Sequence, residues 1–254
     1  MSEQWRIDKW LAAAGVGSRK DVKKILKKKA VQVNGTTITD AAVKINVDED
    51  KITVNGSDIH YHPGPVYYMM NKRKGRISAT SDDQHTTVLD DIDSGDKNEG
   101  LFPVGRLDKD TSGLLLLTTD GTWAHQLTTP NLGIEKQYEA WLDEKPSTED
   151  LHKVGEGLQL KDGTQTKPAE IGEGKQEEEG YSLMITVTEG KYHQVKRMFG
   201  AIGRHVRGLK RVRMSDVALD PALAEGEYRA LTAEELEAID LDLNSKKNTL
   251  STNK

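Results

Sequence analysis

The stretch GRLDKDTSGLLLLTTDG, residues 105–121, decides how the chain is read. Two acids, Asp108 and Asp110, and two bases, Arg106 and Lys109, crowd a loop between Gly105 and Gly113, and the apolar run 114–117 follows at once as a buried strand. A cluster of charge is thereby fixed to a rigid element, which suits a site whose side chains must be held still. Burial makes an unpaired charge expensive, so an acid here demands a basic partner elsewhere in the chain. Asp120 reads as a turn residue and Asp110 as a cap on the backbone of 111–113. Asp108 has no such duty, and spacing alone leaves it either a catalytic carboxylate or half of a buried ion pair.

Composition narrows the classes. The chain has 254 residues, enough for a moderate domain and a small one, with a formal net charge of -5 and 30% charged residues. The negative total argues only weakly against a polyanionic partner, because local clusters matter more than the sum. Cysteine is absent, which excludes a disulfide framework, a thiol nucleophile and a thiolate metal site. The seven histidines show no ligand spacing, so no metal is expected. Arg6, Asp8 and Lys9 interrupt any signal-like apolar run, and no segment approaches a membrane span, so a cytoplasmic protein with no membrane association is expected.

Upstream, Ile7, Trp10 and Leu11 recur at helical spacing, and Gly15 and Gly17 close that helix. Ser18 caps a second helix, with Asp21 three residues on, and Val22, Ile25 and Leu26 form its apolar stripe. Its other side carries Arg19, Lys20, Lys23, Lys24, Lys27, Lys28 and Lys29. Lysines at i and i+4 repel, and a surface with no task would mix signs, so this face points to a polyanion. Short strands then alternate with the turns Asn34-Gly35 and Asn55-Gly56. The run RIDKWLAAAGVGSRKDVKKILKKKAVQVNG resembles the small RNA-binding module of a primary 16S-binding ribosomal protein. The resemblance implies that Arg6, Lys9, Ser18, Arg19, Lys20, Lys23, Lys24, Lys27, Lys28 and Asn34 form an RNA-binding face.

HYHPGP, residues 60–65, reads as a linker. Residues 66–70 open a larger domain, followed by a basic turn at 71–76 and an acid-rich excursion at 82–96 with a short helix. Residues 122–128 are expected as a short helix stopped by Pro130, and 134–141 as a strand with Lys136 and Tyr138 on one face. A helix at 147–154 and a strand at 181–188 come next. In EGKYHQVKRMFGAIGRHVRGLKRVR, residues 189–213, Val195, Met198, Phe199 and Ile202 mark an amphipathic helix with a basic side, and Arg204 and Arg207 extend that second patch. One more strand is expected at 214–219, an acidic helix from Thr232, and a disordered tail at 241–254.

Taken together, GRLDKDTSGLLLLTTDG, KQY and EGKYHQVKRMF resemble three ordered motifs of the bacterial rRNA pseudouridine synthases of small-subunit type. The resemblance implies Asp108 as the essential aspartate, Tyr138 as the active-site aromatic and Lys196 as the basic partner of the aspartate. Arg197 is the fallback partner and Arg106 a contact for the flipped nucleotide. Many relatives carry arginine where Lys196 stands, and lysine lacks the bidentate fork. The implied reaction is isomerisation of a uridine in 16S rRNA within a small-subunit assembly intermediate, with no cofactor and no obligate protein partner. A 23S enzyme and a non-catalytic assembly protein are the alternatives. The expected fold is α+β: an RNA-binding module at 1–59, the linker at 60–65, and at 66–240 a catalytic domain built on a mixed, mainly antiparallel sheet with flanking helices.

Overall fold

The computed structural model describes residues 4–61, 64–97 and 100–252. His62 and Pro63 of the expected linker, and the last two residues of the expected tail, lie outside the described residues. The first unit runs β1 (Gln4–Arg6), α1 (Ile7–Ala13), α2 (Arg19–Lys27), β2 (Val31–Val33), β3 (Thr36–Ile38), β4 (Lys44–Asn46), β5 (Ile52–Val54) and β6 (Ser57–Ile59). Strands β3-β2-β5-β6 form one antiparallel sheet, and β1 pairs with β4. Ile7, Trp10, Leu11, Val22 and Leu26 bury the apolar stripes of both helices against Val31, Ile45 and Ile52. Ser18 accepts from the Asp21 backbone at the start of α2, as the sequence predicts.

The second unit comprises β7 (Tyr67–Lys72), β8 (Phe102–Pro103), β9 (Ser112–Thr118), α3 (Gly121–Thr128), β10 (Lys136–Leu142), α4 (Thr148–Glu156), β11 (Glu170–Glu177), β12 (Gly180–Val187), α5 (Gln194–Ala201), β13 (Val206–Met214), β14 (Val217–Ala218), β15 (Tyr228–Ala230) and α6 (Ala233–Thr252). The sheet order is β11-β12-β10-β13-β9-β7-β15, with β8 and β14 alongside. Every pairing is antiparallel except β13 with β9, so the sheet is mixed and mainly antiparallel, as expected. The parallel contact requires Gly113: its φ is +100°, and a Cβ there would lie 2.2 Å from the Arg211 carbonyl oxygen.

One sheet face is covered by α3 and α6, through Trp123, Ala124, Leu127, Ile239 and Leu243. On the other face two apolar clusters sit side by side. One joins Val88, Ile92 and Leu107 to Leu115 and Leu117, and the second joins Val195, Met198 and Phe199 to Ile185 and Leu209. Tyr138 packs against both, which places it on the seam between them.

Two expectations fail. The strand expected at 214–219 is instead β13, Val206–Met214, with only Val217–Ala218 following. The basic residues that read as a continuation of a cationic surface are thus a central strand: Gly203, at φ +76°, ends the helical path, and Leu209 and Arg211 point into the interior. The tail expected to be disordered from residue 241 is helical to Thr252. Leu243 is buried against the α3 face, Ser215 donates to Asp242 (2.6 Å) and Lys247 donates to Gln126 (2.9 Å), so the helix continues because one stripe has something to pack on.

Candidate active site

The charged loop is held from beneath. Lys72, fully buried at the end of β7, pairs across the sheet with Gly113 and donates to the carbonyl oxygens of Thr111 (2.8 Å), Asp108 (3.0 Å) and Arg73 (3.2 Å). Burial pushes its ammonium down to about 8, against the pull of the nearby Asp108 and Asp110. Ser78 accepts from the Leu107 amide and donates to the Leu107 carbonyl, both at 3.0 Å, and the Gly75 amide donates to the Lys109 carbonyl (2.7 Å). With Thr111 N–H closing a turn on the Asp108 carbonyl (3.1 Å), the carbonyls of Leu107, Asp108, Lys109 and Thr111 are all hydrogen-bonded.

That fixed backbone offers the Asp108 carboxylate to α5. Lys196 donates to Asp108 Oδ2 at 3.0 Å and also reaches Asp110, and His193 Nε2 lies 3.4 Å from Asp108 Oδ1. Burial alone would lower the Lys196 ammonium, but its hydrogen bonds to Asp110 and Asp108 outweigh that and raise it, so it stays charged. Burial likewise opposes ionisation of Asp110, and the Lys196 hydrogen bond reverses this to hold Asp110 below the usual carboxylate range. The start of α5 is anchored by Gln194, which donates to Glu189 (2.8 Å) and accepts from the Lys191 amide (2.9 Å).

Beside Asp108 opens a small cleft lined by Arg106, Thr111, Tyr138, Val187, His193 and Leu209 among others. Tyr138, half-buried on β10 and paired with Ile185 and Arg211, supplies an aromatic wall, and Arg106 stands exposed on the rim. A carboxylate with a fixed cation, facing an apolar and aromatic slot, can hold a flat uncharged ring while acting on an atom attached to it.

The structure therefore brings together Asp108, Lys196, Tyr138 and Arg106. Arg197 is turned away, with its guanidinium on Asp162 (2.5 Å) and the Tyr192 carbonyl (3.2 Å), and takes no part as a second partner of Asp108. Several cations expected to face RNA have intramolecular partners: Arg6 is bidentate on buried Asp8, Lys9 lies 3.5 Å over the Trp5 ring, and Lys24 pairs with Asp21. Ser18 is spent on its cap, and the Asn34 side chain is spent on Asp50 and Lys51. Arg204 meets Glu144 (3.3 Å) and Arg207 meets Glu179 (3.7 Å). Lys20, Lys23, Lys27 and Lys28 are exposed and make no ion pair among the described residues.

Sequence reading missed Lys72 and His193. Lys72 looks like part of a basic turn at 71–76, yet it follows Met70 by two in an apolar strand and so shares its inward face. His193 precedes Lys196 by three, the spacing that puts two side chains on one side of a helix start.

Residues 66–201 match the family model described as RNA pseudouridylate synthase, and residues 5–52 match the S4 domain. The chain is 45% identical to an uncharacterized RNA pseudouridine synthase of Bacillus subtilis, over 91% of this chain and 96% of that protein. It is 38% identical to the ribosomal small subunit pseudouridine synthase A of Yersinia pestis, over 92% of this chain and 97% of that one. The enzyme of the same name from Escherichia coli K12 is 37% identical, with 92% and 99% covered. A crystal structure of a pseudouridylate synthase superposes with a TM-score of 0.62 at 36% identity, covering 92% of this chain and 99% of that one.

Proposed function

The chain belongs to the RNA pseudouridylate synthases, and from that premise we propose that it isomerises a specific uridine of 16S rRNA, with Asp108 acting on the ribose. The observation that carries this reading is the Asp108 carboxylate, held on a fixed loop between Lys196 and His193 at the edge of a cleft walled by Tyr138.

Isomerisation breaks the bond from C1' to N1, turns the base and joins C1' to C5. A proton leaves C5 and one ends on N1, so nothing is oxidised and no group is imported. Two routes are open to a carboxylate: attack on C1', or removal of the C2' proton to give a glycal-like intermediate. Both use the Asp108 carboxylate, which Lys196 holds at 3.0 Å. Tyr138 packs on the base while it is detached, and Arg106 meets the backbone of a nucleotide that has left its stack.

RNA as substrate is supported by the exposed lysines of α2 in the S4 domain, and the small subunit by the names of the Yersinia and Escherichia relatives. Among the described residues no helix is long and apolar enough to cross a membrane, in keeping with an enzyme of the cytoplasm acting on an assembling subunit. We take residues 1–59 as the RNA-binding module and 66–240 as the catalytic unit, which α6 extends.

The test maps pseudouridine in rRNA from cells with and without the gene, by carbodiimide-dependent primer-extension stops. Loss of one 16S stop, restored by the wild type and not by Asp108→Asn, is expected. A lost 23S stop would move the enzyme to the large subunit, and no change in either RNA would leave a binding protein.

A further inference from the structure

On the outer side of His193 lies an aromatic side chain with no structural employment. The Tyr192 ring is 77% exposed, and its one ring contact among the described residues is the His193 imidazole, stacked at 3.8 Å between centroids and 18° between planes. Its hydroxyl makes no hydrogen bond among the described residues. An exposed tyrosine alone means little. This one, however, rides on a backbone held on both sides: Arg197 donates to its carbonyl, Gln194 is tied to the amide and the carbonyl of Lys191, and Glu189, nearly buried, accepts from the Lys167 amide (3.0 Å) and from Gln194. His193 sits at φ 48° and ψ 37°, a left-handed conformation that a residue with a side chain adopts at some cost. In this conformation the two rings form one stack.

The position of the stack says what it faces. His193 Nε2 is 3.4 Å from Asp108, so the Tyr192 ring stands one side chain removed from the reacting carboxylate. Exposed cations line the two hollows that His193 borders, Arg106 in one and Lys161 in the other. Arg106 and Lys109 on the charged loop make no ion pair among the described residues, and neither does Lys161, which shares a hollow with His193, Lys196 and Arg197. Asp162 offsets Arg197 in that hollow, which leaves Lys161 as its unpaired charge. An exposed aromatic stacked on a residue that borders two hollows holding unpaired cations fits an unstacked nucleobase with its phosphate.

We infer that Tyr192, backed by His193, is a stacking platform for a nucleobase adjacent to the target uridine, with the connecting phosphate directed to Lys161. The platform rests on the proposed RNA substrate but does not depend on the chemical role of Asp108. It gives the enzyme a second base to hold. A uridine drawn into the cleft leaves a neighbour with one face bare, and stacking that neighbour on Tyr192 compensates the lost stack and keeps the strand open.

The experiment measures single-turnover isomerisation, and equilibrium binding by the Asp108→Asn protein, on a 16S rRNA fragment carrying the mapped uridine. Tyr192→Ala is expected to raise the half-saturating RNA concentration about tenfold with the maximal rate within about threefold, and Tyr192→Phe to restore the affinity. The deciding measurement replaces each nucleotide flanking the uridine with an abasic one. At one of those positions the difference between wild type and Tyr192→Ala should vanish, because the base that the ring would hold is gone. A tenfold difference that survives at every abasic position, or a Tyr192→Ala defect confined to the maximal rate, would overturn the platform. Absence of any isomerisation by the wild type would count against the proposed activity, while the binding series on the same fragments would still decide the platform.

Discussion

Two stretches of this chain are rich in lysine and arginine, and the structure treats them in opposite ways. In α2 and at its C-terminal cap the lysines at 20, 23, 27 and 28 stand in solvent without acidic partners among the described residues. From α5 to β13 most of the cations are matched: Lys196 with Asp108 and Asp110, Arg197 with Asp162, Arg204 with Glu144, Arg207 with Glu179 and Arg213 with Glu135, while Lys210 has no acidic partner among the described residues. Arg211 goes further and is buried, with Nε on the Leu114 carbonyl at 2.7 Å. The first stretch keeps its charge available for a polyanion. The second has largely used it in building the site and the sheet. Equal runs of basic residues in a sequence therefore do not mean equal surfaces, because the acids that neutralise one of them come from distant parts of the chain.

The comparison is broken hardest at Lys196. Its ammonium is paired with Asp108 and Asp110, so Lys196→Met is expected to lower the maximal rate of isomerisation by about a hundredfold or more while RNA affinity stays within a few-fold. Rate and affinity measured on one 16S transcript separate the two. If affinity falls and the rate holds, Lys196 belongs with the lysines of α2.

The reverse pattern is expected when Lys20, Lys23, Lys27 and Lys28 are replaced together by glutamine. Removing four solvent-facing charges should weaken RNA binding roughly tenfold at moderate salt and make the slope of log affinity against log salt shallower by about 3, with the maximal rate unchanged. An unchanged slope would mean that this face does not touch RNA.

A third fate of a cation, burial without an acid, is tested at Lys136. Its ammonium donates to the Ile134 carbonyl (2.8 Å), and burial, with Arg211 nearby, depresses it to about 8 from an ordinary 10.5. Between those two values the unfolded chain holds a proton that the folded chain has released, so stability rises with pH across that window and the burial cost is present in full below it. Lys136→Met should add on the order of 1–2 kcal/mol of stability at pH 7. It should also reduce the rise between pH 8 and 10, leaving the share that comes from Lys72, which is depressed to a similar value. Urea unfolding at pH 7 and pH 9.5 measures both.

What could be read in the sequence follows the same division. The S4 module was legible nearly element by element because its signals are local: the Ser18 cap, the apolar stripe of α2, and the Asn34-Gly35 and Asn55-Gly56 turns, whose residues all adopt positive φ. The strand at 112–118 was legible from an unbroken apolar run. β13 was not, because Arg211 and Arg213 hide its inward face behind charge, and only Leu114 and Glu135, far away in sequence, explain where those charges go. Asp108, Tyr138 and Lys196 were recognised through motifs, whereas Lys72 and His193 act through contacts that no local pattern announces. The final helix was missed for a similar reason, since Leu243 is buried by side chains of α3 and β14.

The smallest expected effect is the most pointed. Arg207 is half exposed and its partner Glu179 is 89% exposed at 3.7 Å, a loose pair that contributes little to stability. Arg204 is tighter, with less of its side chain in solvent, and faces Glu144 at 3.3 Å. If the second basic stretch is internally matched, Arg207→Gln should change RNA affinity less than twofold and leave the salt slope where it was. A cation that meets a phosphate would instead take about 1 from that slope when removed. Arg207 is the residue of that stretch freest to let go of its acid and reach outward, so a shallower slope in this variant would mean that the pairing gives way to RNA on binding. The two stretches would then differ only in the unbound protein, with the acids of the second holding its arginines until a stronger anion arrives.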